Sequence, residues 1–213
     1  MKRIPFLTLG LAGLALMVHA FPSWSDALEM NRAALMHGEL WRLFTGHLTH
    51  FSADHLKWDL VVFVALGSLV ELRNRRHFLG CVVGGALAIS LGVAWLQPQF
   101  TSYRGLSGID SALFGYLVVD IWKLSRAEGL CWSAFAAGLA MTLFIAKIGF
   151  ELITGRTVFV EVDSNFAPVP LAHLIGAVVG GVGSWSLFFC SMQQVPHESL
   201  TDVVLSGQGV GDD

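Results

Sequence analysis

Charged residues are scarce in this chain of 213 residues: they make up 14% of it, whereas apolar residues make up 54%. The formal net charge is only -3, so the sequence lacks the basic surface that nucleic-acid binding requires. A composition this apolar is typical of a polytopic membrane protein and excludes an ordinary soluble domain. We therefore expect one membrane domain over residues 1–192, surrounded by the lipid bilayer.

Cysteine is also rare, with three residues at positions 81, 131 and 190. Their odd number argues against disulfide bonds, and so does their predicted location near the cytoplasmic ends of helices. We expect these three side chains to serve in packing.

Long apolar runs, in contrast, are plentiful. Only helices satisfy their backbone hydrogen bonds internally in lipid, so each run is interpreted as a transmembrane helix. The predicted fold is an all-α polytopic bundle of six helices. The six segments are Ile4–Ala20, Trp58–Leu72, Leu79–Leu96, Leu106–Leu124, Leu130–Ile153 and Leu171–Met192.

Basic residues give the bundle a predicted orientation. They cluster at positions 2–3, 73–76 and 123–126, and a cytoplasmic N-terminus puts all three clusters inside, as the positive-inside rule prefers. The even-numbered helices then begin at the outer surface. The polar, weakly acidic tail at 193–213 is predicted to be disordered in the cytoplasm. A cleaved signal sequence ending at Val18-His19-Ala20 remains an alternative for the first segment.

One serine stands where a polar loop becomes the fourth apolar segment, in the string Gly105-Leu106-Ser107-Gly108. Glycines there permit backbone angles and close approaches that a Cβ would obstruct. A serine at this corner would be a nucleophile if a base reaches it from elsewhere in the fold. The alternative is a contact of small residues between helices.

A histidine opens the sixth segment. His173 is followed on the same helical face by Gly176 and Gly180. Ionisable groups inside a membrane span are costly and usually face the bundle interior, and a glycine face lets a neighbouring helix approach the imidazole closely. The alternative is a histidine near the headgroups beside an ordinary glycine packing seam.

His55 and Asp59 form the third polar set. They lie one helical turn apart if the second helix has begun by His55, and the carboxylate would then fix the orientation and tautomer of the imidazole. The predicted topology puts this pair, Ser107 and His173 within about one turn of the outer surface. A nucleophile, a base and a donor pair are therefore expected at the same depth.

In these features the chain resembles the rhomboid family of intramembrane serine proteases over most of residues 39–185. The resemblance implies that Ser107 is the nucleophile, His173 the general base and His55 an oxyanion-hole donor. With no third acid evident beside His173, we expect a Ser-His dyad that uses no metal and no cofactor. The motifs that carry the resemblance are Glu39-Leu40-Trp41-Arg42, the His50/His55 spacing, Gly67 with Glu71, Gly105-Leu106-Ser107-Gly108, and Ala172-His173 with Gly176 and Gly180.

Asp59 departs from the family pattern, which generally has Asn four residues after the oxyanion histidine. A carboxylate only accepts hydrogen bonds, so either Asp59 is protonated in a low-dielectric setting or it orients His55 instead of donating to an oxyanion. The one-turn spacing favours the orienting role. Three features look most like the rhombosortase branch: the compact six-helix form and the strings Gly46-His47-Leu48-Thr49-His50 and Tyr103-Arg104-Gly105-Leu106-Ser107-Gly108. Membership there would imply a bacterial inner-membrane enzyme with its site towards the periplasm. Its substrates would be exported proteins with a C-terminal tail made of a glycine-rich motif, an apolar helix and basic residues.

Three other functions remain open from the sequence. One is a metal site formed by His47, His50, His55 and Asp59, whose ligand types suit zinc. Another is a non-catalytic rhomboid-like protein that binds or escorts membrane clients, because fold does not fix function. The third is a transporter using Lys147 and Glu151, although these residues are more simply expected to pair one turn apart.

Overall fold

The computed structural model describes residues 4–157 and 169–192, and this part of the chain is predominantly helical. The predicted tail at 193–213 lies outside the described residues. Six long helices follow the six predicted apolar segments: α1 (Phe6–Ala20), α5 (Ala53–Arg73), α6 (Arg75–Leu96), α7 (Ser107–Glu128), α8 (Cys131–Thr154) and α9 (Pro170–Met192). Shorter elements fill the chain between α1 and α5: α2 (Pro22–Leu28), α3 (Arg32–Met36), α4 (Arg42–Thr45) and a 3-10 turn at Gly46–Leu48.

Two of the described helices, α6 and α8, are long and apolar enough to cross a membrane. The pair α1 and α2 qualifies as a third span if the two are taken together, and they are bent by 113° at their junction. The prediction of a mostly helical chain with membrane-spanning helices is confirmed, whereas the number of six membrane spans stays a prediction.

A short antiparallel ribbon corrects the prediction of a chain without strands. β1 (Met30–Asn31) pairs with β2 (Ser102–Tyr103), with Met30 opposite Tyr103. The backbone N–H of Arg32 continues the pairing by donating to the carbonyl of Thr101 at 2.9 Å. Since β2 leads directly into the turn before α7, the ribbon connects the loop after α2 to the turn that precedes Ser107.

The C-terminal end of α5 is fastened to the first turn of α1. The Glu71 carboxylate accepts the backbone N–H groups of Leu7 at 3.1 Å and Thr8 at 2.8 Å, and also the Thr8 hydroxyl at 2.8 Å. These N–H groups belong to the first turn of α1 and have no partner within the helix. A Cβ added to Gly67 would lie 2.8 Å from Thr8 Cγ2, so the two helices approach closely here.

The described cysteines differ in their surroundings. Cys81 and Cys131 are both free thiols; Cys81 is buried, and Cys131 is exposed. The packing role predicted from the sequence fits Cys81 and is wrong for Cys131, because the latter lies at the exposed start of α8. The side chain of the third cysteine is outside the described residues.

Backbone-to-backbone contact between α7 and α9 forms the centre of the bundle. A Cβ added to Gly180 would lie 1.8 Å from the carbonyl oxygen of Ala112, and one on Gly176 would lie 2.1 Å from that of Gly108. The predicted glycine face on α9 is therefore confirmed, and its partner is α7. Because the contact advances four residues along both helices, they run parallel and their first turns lie side by side.

Candidate functional site

Ser107 and His173 meet at the end of the bundle where α7 and α9 begin. Ser107 is the first residue of α7 and His173 lies in the first turn of α9. Nε2 of His173 is 3.1 Å from Oγ of Ser107, which is hydrogen-bonding distance. The proximity predicted for these two side chains is confirmed, and the parallel α7–α9 contact produces it.

A glycine turn precedes the serine. Gly105 has a φ of 124°, a conformation that L side chains rarely adopt. Space would also forbid a side chain, because a Cβ there would lie 2.9 Å from Cε1 and 3.0 Å from Nε2 of His55. Both requirements bring the backbone before Ser107 against the His55 ring.

Asp59 occupies the space behind this turn. Its Oδ2 accepts the backbone N–H of Leu106 at 2.9 Å and that of Ser107 at 3.2 Å. The same oxygen lies 3.1 Å from Nε2 of His50 and 3.3 Å from Nε2 of His55. The contact between Asp59 and His55, predicted from their one-turn spacing, is confirmed. The hydrogen bonds from Leu106 and Ser107 were not predicted. The second of them uses the Ser107 N–H, which is the donor that an oxyanion would need.

An acid lies beside His173, so the prediction that this histidine has none is wrong. Oε2 of Glu151 is 3.2 Å from Nδ1 of His173, and the Glu151 side chain is 1% exposed. Its other oxygen accepts a hydrogen bond from Nζ of Lys147 at 2.7 Å, which confirms the predicted Lys147–Glu151 pair. The contact between Glu151 and His173 was not predicted, because pairing with Lys147 one turn away already accounted for the Glu151 carboxylate. An acid within an apolar helix did indicate a partner inside the bundle, but it could not identify that partner as His173.

The side chain of His47 makes structural contacts and does not join His50, His55 and Asp59. Nδ1 lies 3.3 Å from the carbonyl oxygen of Gly105, and Nε2 lies 3.2 Å from that of Ala86 and 3.1 Å from Oγ of Ser90. Burial lowers the pKa of His47 to about 4, so the ring is neutral at physiological pH. The metal site considered above is not assembled: in the described ranges, no three His, Cys, Asp or Glu side chains are grouped to hold a metal ion.

A cavity of about 390 Å³ opens beside the serine between α5, α7 and α8. Ser107, His173 and Glu151 are among the polar residues that line it. A cavity of this size, mostly apolar with a few convergent polar groups, is typical of a ligand site. Its apolar walls include Trp58, Val61, Val62, Leu66, Phe114 and Phe144.

Comparisons with a family model and with curated proteins both give matches. Residues 37–189 match the Rhomboid domain family, and this range includes every residue of the site described above. The chain is also 26% identical over 111 residues to the "Putative rhomboid protease YdcA" of Bacillus subtilis (strain 168). That alignment covers 51% of this chain and 56% of YdcA, so the chain spans little more than half the length of this curated relative.

Proposed function

The chain belongs to the rhomboid family of integral membrane proteins, and from this premise we propose that it is an intramembrane serine endopeptidase. Ser107 is its nucleophile and His173 its general base. The observation that carries the proposal is the 3.1 Å contact between the hydroxyl and the imidazole beside an apolar cavity. A nucleophile within hydrogen-bond reach of a base, which a third group contacts in turn, is the arrangement that covalent catalysis requires.

The reaction proceeds through an acyl-enzyme. Ser107 Oγ attacks the carbonyl carbon of the scissile peptide bond while its proton passes to Nε2 of His173. The imidazolium then donates this proton to the leaving nitrogen, and the C–N bond breaks. A water molecule gives a proton to Nε2 and attacks the ester, which releases the new C-terminus and returns the proton to Ser107.

Charge on the tetrahedral oxygen is stabilised by His55 and by the Ser107 N–H. Each such donor typically contributes about 100- to 1,000-fold to the rate. In the described geometry Oδ2 of Asp59 accepts this N–H, so the substrate oxygen must share or take over the donor. Asp59 cannot itself donate as a carboxylate. Its role is to hold the turn that carries Ser107 and to orient His55.

Replacing Asp59 with asparagine (Asp59→Asn) is expected to lower kcat about tenfold, which corresponds to about 1.4 kcal/mol of transition-state stabilisation. The neutral amide keeps one acceptor oxygen but cannot match a carboxylate that receives bonds from the turn and from two histidines; bonds to charged groups contribute about 1.5–3 kcal/mol each. Steady-state kinetics on the purified protein would measure the change. The matched control is Asp54→Asn, a partly exposed acid in the first turn of α5, one turn before Asp59, that pairs with Lys57. Higher activity of Asp59→Asn would contradict the positioning role.

The enzyme resides in the bacterial inner membrane as a six-helix domain over residues 1–192, with a cytoplasmic N-terminus and its site towards the periplasm. The basic clusters at 73–76, where α5 gives way to α6, and at 123–126, near the C-terminal end of α7, support this orientation. Its substrates are membrane-anchored, as in the rhombosortase branch: exported proteins with a glycine-rich, C-terminal sorting tail. Glycine lowers the stability of a substrate helix and permits close approach to the enzyme backbone, and the apolar cavity suits the membrane segment that follows.

Cleavage of a reporter tests this function. The reporter is a periplasmic protein fused to a glycine-rich junction, an apolar helix and basic residues, mixed with the purified enzyme in phospholipid vesicles. We expect one cut near the junction, identified by mass spectrometry, and a rate at least tenfold lower when the glycines are replaced with leucine. Equal cleavage of the two reporters would contradict recognition of the glycine junction. No cleavage of either reporter, or of an unrelated single-span protein, would contradict the protease function.

A further inference from the structure

We infer that Glu151 is a positioning residue that fixes the orientation and the tautomer of His173. The inference rests on the proposed function, because it assigns a third member to the Ser107–His173 pair. It draws on a helix, α8, that contributes neither the nucleophile nor the base.

The two nitrogens of the His173 ring face two different partners. Nε2 is 3.1 Å from the hydroxyl of Ser107, and Nδ1 is 3.2 Å from Oε2 of Glu151. A neutral imidazole has one donor nitrogen and one acceptor nitrogen, whereas a carboxylate only accepts. Nδ1 must therefore carry a proton and donate it in a hydrogen bond to Glu151. Nε2 is then left as the acceptor that a general base for Ser107 requires.

Burial restricts what Glu151 can do other than hold this ring. Its side chain is 1% exposed, and that of His173 is 12% exposed. A carboxylate this deep in a membrane helix is costly unless hydrogen-bonded and paired. Both oxygens are used, one by His173 and the other by Lys147 at 2.7 Å. The ammonium of Lys147 thus partly neutralises the carboxylate without competing for the oxygen that faces His173.

The same contacts also allow a purely structural interpretation, in which Glu151 only fastens α8 to α9. The two interpretations differ in what they predict. A fastening role predicts lower stability with an unchanged His173 tautomer. A positioning role predicts that kcat falls while KM hardly changes, and that the ring loses its preference for a proton on Nδ1.

The test compares Glu151→Gln with wild type in the full-length, purified protein. Glutamine preserves the shape but offers both a donor and an acceptor to Nδ1. We expect kcat to fall at least about tenfold and KM to stay within about threefold. Glu151→Asp, which keeps the carboxylate, should recover part of the loss. The matched control is Glu71→Gln. The Glu71 carboxylate is equally buried but lies at the end of α5 away from His55 and Asp59, so this variant should keep kcat within about threefold of wild type.

Nitrogen-15 spectra of the histidine side chains give a second readout, with His173→Asn used to assign the signal. We expect neutral His173 to carry its proton on Nδ1 in the wild type and to lose this preference in Glu151→Gln. A wild-type proton on Nε2, or an unchanged tautomer in the variant, would overturn the inference even if the variant were unstable. So would full activity of Glu151→Gln while Ser107→Ala is inactive. If wild type and Ser107→Ala cleave equally, the proposed function fails, and the spectra still decide the role of Glu151.

Discussion

Removing the Ser107 hydroxyl (Ser107→Ala) is expected to lower cleavage of a membrane-anchored reporter by about 10⁵-fold or more, to the background rate. The hydroxyl forms the bond to the substrate carbonyl, and no neighbouring group replaces it once only a methyl group remains. The size of the loss follows from non-additivity: without the nucleophile, the base and the oxyanion donors have nothing to activate or stabilise. KM is expected to stay unchanged, because the cavity walls that bind the substrate remain in place.

A serine elsewhere on the same helix supplies the matched control for this variant. Ser125 is buried, lies on α7 about 27 Å further along its axis, and has no part in the site. Ser125→Ala should therefore cleave the reporter within about threefold of the wild-type rate. Both rates are measured in vesicles at saturating and at low reporter concentration, which separates kcat from kcat/KM. Substantial residual cleavage by Ser107→Ala would mean that another group is the nucleophile.

The second large effect is expected from one added methyl group at the α7–α9 contact, in Gly180→Ala. Its Cβ would lie 1.8 Å from the carbonyl oxygen of Ala112 and 2.7 Å from the carbonyl carbon. Backbone atoms of a packed helix cannot rotate aside, so α9 must move away from α7 by more than about 1 Å. Displacements of this size commonly cost about 100-fold in rate because they separate the reacting groups. We expect kcat to fall at least 100-fold and stability to fall by about 1–3 kcal/mol.

The next residue of α9 offers a control that changes the same helix by the same methyl group. A Cβ on Gly181 would meet only Cγ2 of Val119, at 3.5 Å, which is ordinary contact. Gly181→Ala should therefore retain activity within about threefold. Thermal unfolding in detergent and reporter cleavage are measured together for both variants. Wild-type activity in Gly180→Ala would contradict the claim that close α7–α9 contact brings His173 to Ser107.

The features predictable from sequence are those that depend on spacing within one helix. The apolar runs located the helices, the spacing of His55 and Asp59 predicted their contact, and Gly176 with Gly180 predicted a close helix neighbour. Resemblance to the family, together with topology, supplied the pairing of Ser107 with His173. Apart from this pairing, these predictions rest on the length of apolar runs or on a spacing of three or four residues within one helix.

The features that sequence reasoning missed depend on how separate elements are oriented. Glu151 faces His173 because of the rotation of α8 about its axis, which no local pattern specifies. Asp59 reaches the Ser107 N–H because Gly105 adopts a positive φ, and that angle is set by tertiary contacts. The ribbon of β1 and β2 has two residues in each strand, too few for an alternating pattern to be recognised.

The central claim is that Ser107 is a nucleophile activated by His173, and labelling with a fluorophosphonate tests it most directly. This probe forms a covalent bond with an activated serine hydroxyl and requires no knowledge of the natural substrate. The account predicts a single adduct on Ser107 in the wild-type protein, mapped by mass spectrometry of its peptides, and its loss in His173→Asn. An unlabelled wild-type protein, or equal labelling of Ser107 in His173→Asn, would contradict the account.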